Sequence, residues 1–343
     1  MFFVENEYFQ CFPAIITVMD EPSSKIRIGI PGTLFASYHF AYWQRLITLS
    51  GMEAVFSDAS DRQTADRGGR RLPHEFCIPV KVFIGHVLNL LEKGADQILL
   101  PRMTAQGKAN FFCPKLIGLP EIVRYTTGLG AERTFAPEIV CNGLDLRVTK
   151  FPELGRAMVR RMKAATGQAD KAWQSILAQC RSERITLWEA TVGEKMGRPA
   201  GGLNIGLLGY AYSLYDPFIS KGILEKLHQL GAAVTTWEML DPLLIEQNLA
   251  GLKRPLFWNF GKMLLGAGLS FINDSKIDGL IYVTTFGCGP DSVAMKILSI
   301  EASQKEKPLL LINLDDHQED GHLRTRLEAF TDMLAAIKEE RAI

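Results

Sequence analysis

Three of the six cysteines share a local pattern. They stand in "EFCIPVKV", "FFCPKLIG" and "FGCGPDSV", so Cys77, Cys113 and Cys288 each have a proline one or two residues later. Proline suits the first positions of a helix. Each thiol is therefore expected just ahead of a helix N-terminus, where the macrodipole favours a thiolate or an anionic ligand. In "TTFGCGPDSV" a strand-like run also ends in a thiol held between two glycines, which permit unusual backbone geometry or close approach. Three thiolates suit an iron–sulfur cube with one iron left open, where four cysteines would close it. They also suit a zinc ion with a free fourth position, although the spacing is not that of a zinc ribbon. Ordinary core cysteines fit the same spacing, and Cys11, in "QCFPA", carries the same proline signal.

Other polar residues near these thiols have both structural and chemical readings. Glu75 could tune a cluster or lie in solvent, and Lys81 and Lys115 could offset its charge or be solvated. Asp291 and Ser292 are expected to cap a helix. His86 is expected to pack on an amphipathic helix. Asp315, Asp316 and His317 end a strand at the edge where α/β sheets bind ligands. Cys141 and Cys180 read as structural.

Lys+Arg and Asp+Glu balance at 38 each, which argues against a nucleic-acid partner unless a local patch hides behind the neutral total. Hydrophobic residues make up 47% and charged residues 22%, as in globular domains. No apolar run approaches the roughly 20 residues of a membrane span. The start, MFFVENEYFQ, lacks the basic region and apolar core of a signal peptide, so a cytoplasmic protein with reduced thiols is expected.

The elements that must position the thiols alternate as strands and helices. In residues 1–150 the pattern predicts strands at 26–31, 53–57, 95–101 and 135–141, with helices over 36–50, 79–93 and 114–127. Residues 151–200 read as a helical connector. Residues 201–343 repeat the alternation, with strands at 203–209, 278–286 and 308–314 and helices over 218–230, 255–272, after Pro290 and from about 322. Such alternation indicates parallel βαβ units. "IGIPGTLFASYHF" from 28 can also be laid beside "IGLLGYAYSLYDPF" from 205. The expected fold is α/β: two Rossmann-like, doubly wound domains facing a central cleft, joined by the connector. Two of the thiols would come from the first domain and one from the second.

Several long stretches then coincide with one family. "IGIPGTL", "CIPVKVFIGHVLNLLEKGADQILLPR", "CPKLIGLPEIVR", "LYDPFI", "FGCGPDS" and "LINLDDHQEDGHLRTRLEAF" resemble the 2-hydroxyacyl-CoA dehydratase/benzoyl-CoA reductase superfamily. Within it they are similar to the branch related to CoA-substrate-specific enzyme activases. The resemblance implies a [4Fe-4S] cluster, or a larger iron–sulfur cluster, held by Cys77, Cys113 and Cys288. It implies electrons from a separate ATP-hydrolysing iron–sulfur activator, a homo- or heterodimer, and radical dehydration or reduction of a small molecule. A double-cubane reductase, which would recruit Cys11 or Cys141, and a non-catalytic electron-transfer or assembly partner remain the alternatives. Gly32, Tyr210-Ala211 and Asp316 depart from the family pattern.

Overall fold

The computed structural model describes residues 25–104, 110–142, 144–152, 156–193, 195, 202–252, 254, 256–315 and 320–342. Cys11, Asp316 and His317 lie outside them. The described residues divide into two units. The first draws on Met1–Thr104, Pro114–Val140 and Leu146–Ser175; the second draws on Ala105–Cys113, Cys141–Asp145 and Ile176–Ile343.

In chain order the first unit brings β1 (Arg27–Ile30), α1 (Phe35–Leu49), β2 (Glu53–Phe56), α2 (Arg62–Gly69), α3 (Ile78–Glu92), β3 (Gln97–Leu99) and β4 (Arg102–Met103). They are followed by α4 (Pro114–Ile117), α5 (Leu119–Thr127), β5 (Thr134–Phe135), β6 (Glu138–Asn142), β7 (Asp145–Lys150) and α6 (Arg156–Glu183). The unit boundaries fall inside β6, β7 and α6. A sheet of order β2-β1-β3-β5 has every neighbour parallel. The strand expected at 135–141 divides between β5 of this sheet and β6 of a smaller sheet, β4-β6-β7, whose other two strands lie outside the expected pattern.

The second unit continues with α7 (Leu187–Val192), β8 (Asn204–Gly209), α8 (Ala211–Tyr215), α9 (Ile223–Gln229), β9 (Ala233–Thr236) and α10 (Pro242–Leu249). It ends with α11 (Asn259–Asn273), β10 (Gly279–Thr285), α12 (Gly289–Gln304), β11 (Leu309–Leu314) and α13 (Asp320–Ala342). Its sheet, β11-β10-β8-β9, is again parallel throughout. Both units are thus Rossmann-like α/β folds. In both, the chain steps from the first strand to one side, then crosses to the other side of that same strand. Among the described residues, no helix is long and apolar enough to cross a membrane.

The short likeness between the two halves has a packing basis. A Cβ on Gly29 would sit 3.2 Å from Leu90 Cβ of α3, and one on Gly206 would sit 2.6 Å from the Phe271 ring of α11. In each unit the helix that feeds the third strand lies directly on a glycine of the first strand. A side chain there would lift the helix off the sheet.

Three expectations are modified. The helix over 114–127 breaks at Gly118 into α4 and α5, with Pro120 restarting it. The helix expected from 218 begins only at Ile223, because Asp216 Oδ1 accepts from the Phe218 and Ile219 N–H groups at 3.0 and 2.9 Å and holds a turn there. The elements α2, β4, β7, α8, β9 and α10 had no counterpart in the sequence pattern. They are short, and neither a two-residue strand nor an eight-residue helix shows much periodicity.

The 3₁₀ turn Trp237–Met239 carries a buried carboxyl, Glu238, only 3% exposed. The Tyr215 hydroxyl donates to its Oε1, the Leu187 N–H approaches the same oxygen at 3.4 Å, and Oε2 is buried without a partner. Burial pushes the carboxyl up to about 7. A carboxyl raised in the folded state favours its protonated form there, so its contribution to stability is complete at low pH. That contribution is lost as pH rises from about 4.5 to about 7. Glu238→Gln keeps the carbonyl acceptor and removes the charge. It should leave stability nearly unchanged at about pH 5 and raise it by on the order of 3 kcal/mol at about pH 7.5, read from urea midpoints. An equal effect at both pH values would contradict this.

Candidate functional site

The residues around Cys77 are set by α2 and α3. Asp61 caps α2, accepting from the Thr64 N–H at 2.7 Å, and α2 lies against α3 at Gly68 and Gly85. The first turn of α3 begins at Cys77, its N-cap, with proline just inside the helix. The Cys77 carbonyl accepts from the Val80 and Lys81 N–H groups at 3.1 and 3.3 Å. His86, on the buried face of α3, shares a 2.8 Å hydrogen bond between Nε2 and Ser60 Oγ, and burial lowers its imidazole to about 4. It is a packed, neutral histidine. A helix that feeds a parallel strand starts at the carboxyl edge of the sheet, so Cys77 lies at the ligand-binding edge of the first unit.

Cys113 immediately precedes α4, which is a single turn of four residues and offers little macrodipole. Cys113 itself falls in the second unit, where the sequence pattern had grouped it with the first half. Beyond it, Lys115 Nζ lies 5.1 Å over the Phe76 ring and donates to the Glu75 carbonyl at 3.2 Å. Lys115 therefore braces the two residues ahead of Cys77, while Glu75 is exposed. Before it, Phe111 stacks on Phe257 at 4.3 Å, and Phe112 meets Phe260 edge-on at 5.5 Å.

Cys288 follows the central strand β10 and is the N-cap of α12, with Pro290 in its first turn. The second unit's chain reverses its direction of travel across the sheet between β8 and β10, so the loop Phe286-Gly287-Cys288 stands at the topological switch point. Gly287 takes φ +77, a left-handed conformation that a side chain would resist. The expected caps are absent, since α12 has no side-chain cap hydrogen bond. Ser292 Oγ donates backwards to the Gly289 carbonyl at 2.7 Å. Asp291 is fully buried and points down onto β10, where it accepts from Thr284 Oγ1 at 2.7 Å and the Tyr282 hydroxyl at 3.0 Å. Burial raises its carboxyl to about 6, against the hydrogen bonds of Thr284, Tyr282, Tyr210 and Cys288 that favour the charged form. Tyr210 in turn packs edge-on against Phe260 at 5.9 Å, and burial holds its phenol well above the usual range.

The five described cysteines divide by environment. Cys77, Cys113 and Cys288 are free thiols of intermediate exposure, whereas Cys141 and Cys180 are buried. Burial pushes both of the latter up to about 12, which makes them inert packing groups. Among the described residues no three His, Cys, Asp or Glu side chains stand together as a metal-holding group. By donor type, the three half-buried thiols fit an iron–sulfur cluster: soft ligands, each at the start of a helix, two of them at longer helices. Asp315 ends β11 with partial exposure.

Two families match the chain. Residues 267–334 match the 2-hydroxyglutaryl-CoA dehydratase D-component, a segment that covers β10, Cys288, α12 and β11. Residues 27–240 match the CoA enzyme activase uncharacterised domain, a segment that includes Cys77 and Cys113. A search of curated proteins finds no match to the chain. Since the second match spans most of the sequence, with the thiol at the switch point lying inside the dehydratase-component segment, the chain belongs to the CoA enzyme activase uncharacterised domain family and carries a dehydratase-component-like C-terminal part.

Proposed function

We propose that the protein is a [4Fe-4S] protein with Cys77, Cys113 and Cys288 as its ligands. In this reading it accepts low-potential electrons from a separate ATP-hydrolysing iron–sulfur activator and uses them to reduce or dehydrate a small molecule, as a homo- or heterodimer. When bound, the cluster supplies one-electron chemistry and an iron without a protein thiolate. The chain's own residues hold and orient the thiols. Lys115 braces the segment ahead of Cys77 and brings a positive charge there. Asp291 pins the first turn of α12 to β10 and so sets the direction in which Cys288 leaves the sheet.

The observation that carries the reading is the division of the cysteines. The three that the family resemblance selects are the three that reach solvent at helix starts, and the remaining two described cysteines are sealed in packed interiors. The test is anaerobic purification, iron and sulfide determination and electron paramagnetic resonance after reduction. Wild type should hold about four irons per chain. Cys77→Ser, Cys113→Ser and Cys288→Ser should each lose the wild-type signal, while Cys180→Ser retains it. About eight irons would favour the double-cubane alternative. A wild-type protein without iron, handled beside a cluster protein that keeps its own, would sink the proposal.

A further inference from the structure

The neutral total conceals a local excess of positive charge. From Asp145 to Lys163 the chain carries Lys or Arg at 147, 150, 156, 160, 161 and 163, opposed only by Asp145 and Glu153. Its cations at 147, 150, 156, 160, 161 and 163 stand on β7 and the start of α6, in the first unit. Together with Tyr42 of α1 these two elements line a cavity of about 420 Å³. That is the size of a small-molecule site. Arg147, Lys150 and Lys163 line it, against a single acid, Asp170. Burial raises the Asp170 carboxyl above the usual carboxylate range. Lys150 is engaged with Glu138 at 3.3 Å. Among the described residues Arg147 and Lys163 have no ion-pair partner, and they approach the cavity from different elements. Val148, Phe151 and Val159 supply an apolar wall.

We propose that this cavity binds a small phosphorylated metabolite, with Arg147 and Lys163 taking the phosphate and the Phe151–Val159 wall taking an apolar moiety. A guanidinium offers a planar fork that matches two phosphate oxygens, and an ammonium from a second direction adds a point charge. A concave site with apolar walls selects a small ligand, whereas a polymer would require an extended stripe of charge. The site shares no residue with the three thiols.

The test is isothermal titration of the full chain with inorganic pyrophosphate and, separately, with ADP, at constant ionic strength. Saturable one-to-one binding of either ligand is expected. Arg147→Ala and Lys163→Gln should each weaken it about tenfold or more, since each removes a charge-assisted contact. Both side chains are exposed, so the variants should melt like wild type, and Cys77→Ser should bind normally. Tighter binding of ADP than of pyrophosphate would support the role of the apolar wall, and equal binding would overturn that role. Absence of saturable binding by both ligands, or affinities unchanged in both variants, would overturn the proposal.

Discussion

Replacing Gly85 with alanine is expected to destabilise the first unit by about 3 kcal/mol or more, because one methyl group would be forced into backbone. A Cβ at this position would sit 2.0 Å from the Thr64 carbonyl oxygen, and the reciprocal Cβ on Gly68 would sit 1.8 Å from the Lys81 carbonyl oxygen. Neither neighbour is the end of a flexible side chain, so relief requires α2 and α3 to separate. Separation would also strain the contacts that cross between α2, α3 and the β2 edge, including Arg67 with Glu92, the Ser60–His86 bond, and Lys93 with Asp58 at 2.5 Å. Gly69→Ala is the matched control. Its Cβ would find only Lys81 Cδ at 3.8 Å, so it should be neutral or stabilising by a few tenths of a kcal/mol. Urea denaturation followed by circular dichroism distinguishes the two, and a Gly85→Ala protein as stable as Gly69→Ala would refute the close packing. Because α3 begins at Cys77, the same substitution should also lower iron retention if that thiol is a ligand.

The second large effect is expected at Asp291. Asp291→Ala would take the Asp291 acceptor away from the Tyr282 hydroxyl and Thr284 Oγ1, whose residues are 0% and 4% exposed. A buried hydroxyl that loses its acceptor costs far more than a surface hydrogen bond gains, and two of them put the loss at about 3 kcal/mol at about pH 5, where the buried carboxyl carries little charge. Asp291→Asn keeps one carbonyl acceptor and nearly the same volume and also removes the charge that burial disfavours, so its loss should be well below half as large and should shrink further as pH rises through about 6. The coupling is measurable in a double-mutant cycle of Asp291→Ala with Tyr282→Phe. The second substitution should recover part of the loss by removing one of the two hydroxyls that lost this acceptor. Additive losses would show that the tyrosine and the carboxylate act independently, and a cost below about 0.5 kcal/mol for Asp291→Ala would show that the carboxylate anchors nothing.

Asp291 also marks how far local reasoning reaches. Following Gly-Cys-Gly-Pro, an aspartate in the first turn of a helix has the position of a capping group, and sequence alone favours that role. The structure turns it inward because α12 lies on β10, whose Tyr282 and Thr284 present two hydroxyls at its base. The alternation that would have flagged them is hidden, since β10 is buried on both faces and its residues read as one continuous run. The Lys115 brace was likewise beyond reach. The lysine and its Phe76 partner are far apart in sequence, and only the return of the chain through α4 brings them together.

Features governed by neighbours along the chain were legible in the residues alone. Proline and glycine placement specified that Cys77, Cys113 and Cys288 precede helices, and apolar periodicity specified the main strands and the longer helices. The family resemblance grouped the three thiols before any coordinates. Tertiary structure alone decided the order of strands, and with it the placing of Cys288 at a switch point, because strand order depends on which helix faces pack on which side of a sheet. It also decided that Cys113 belongs with the second unit, that Cys141 and Cys180 are sealed, and that scattered cations of β7 and α6 line one cavity. Burial and convergence are sums over residues distant in the chain, and no local pattern encodes them.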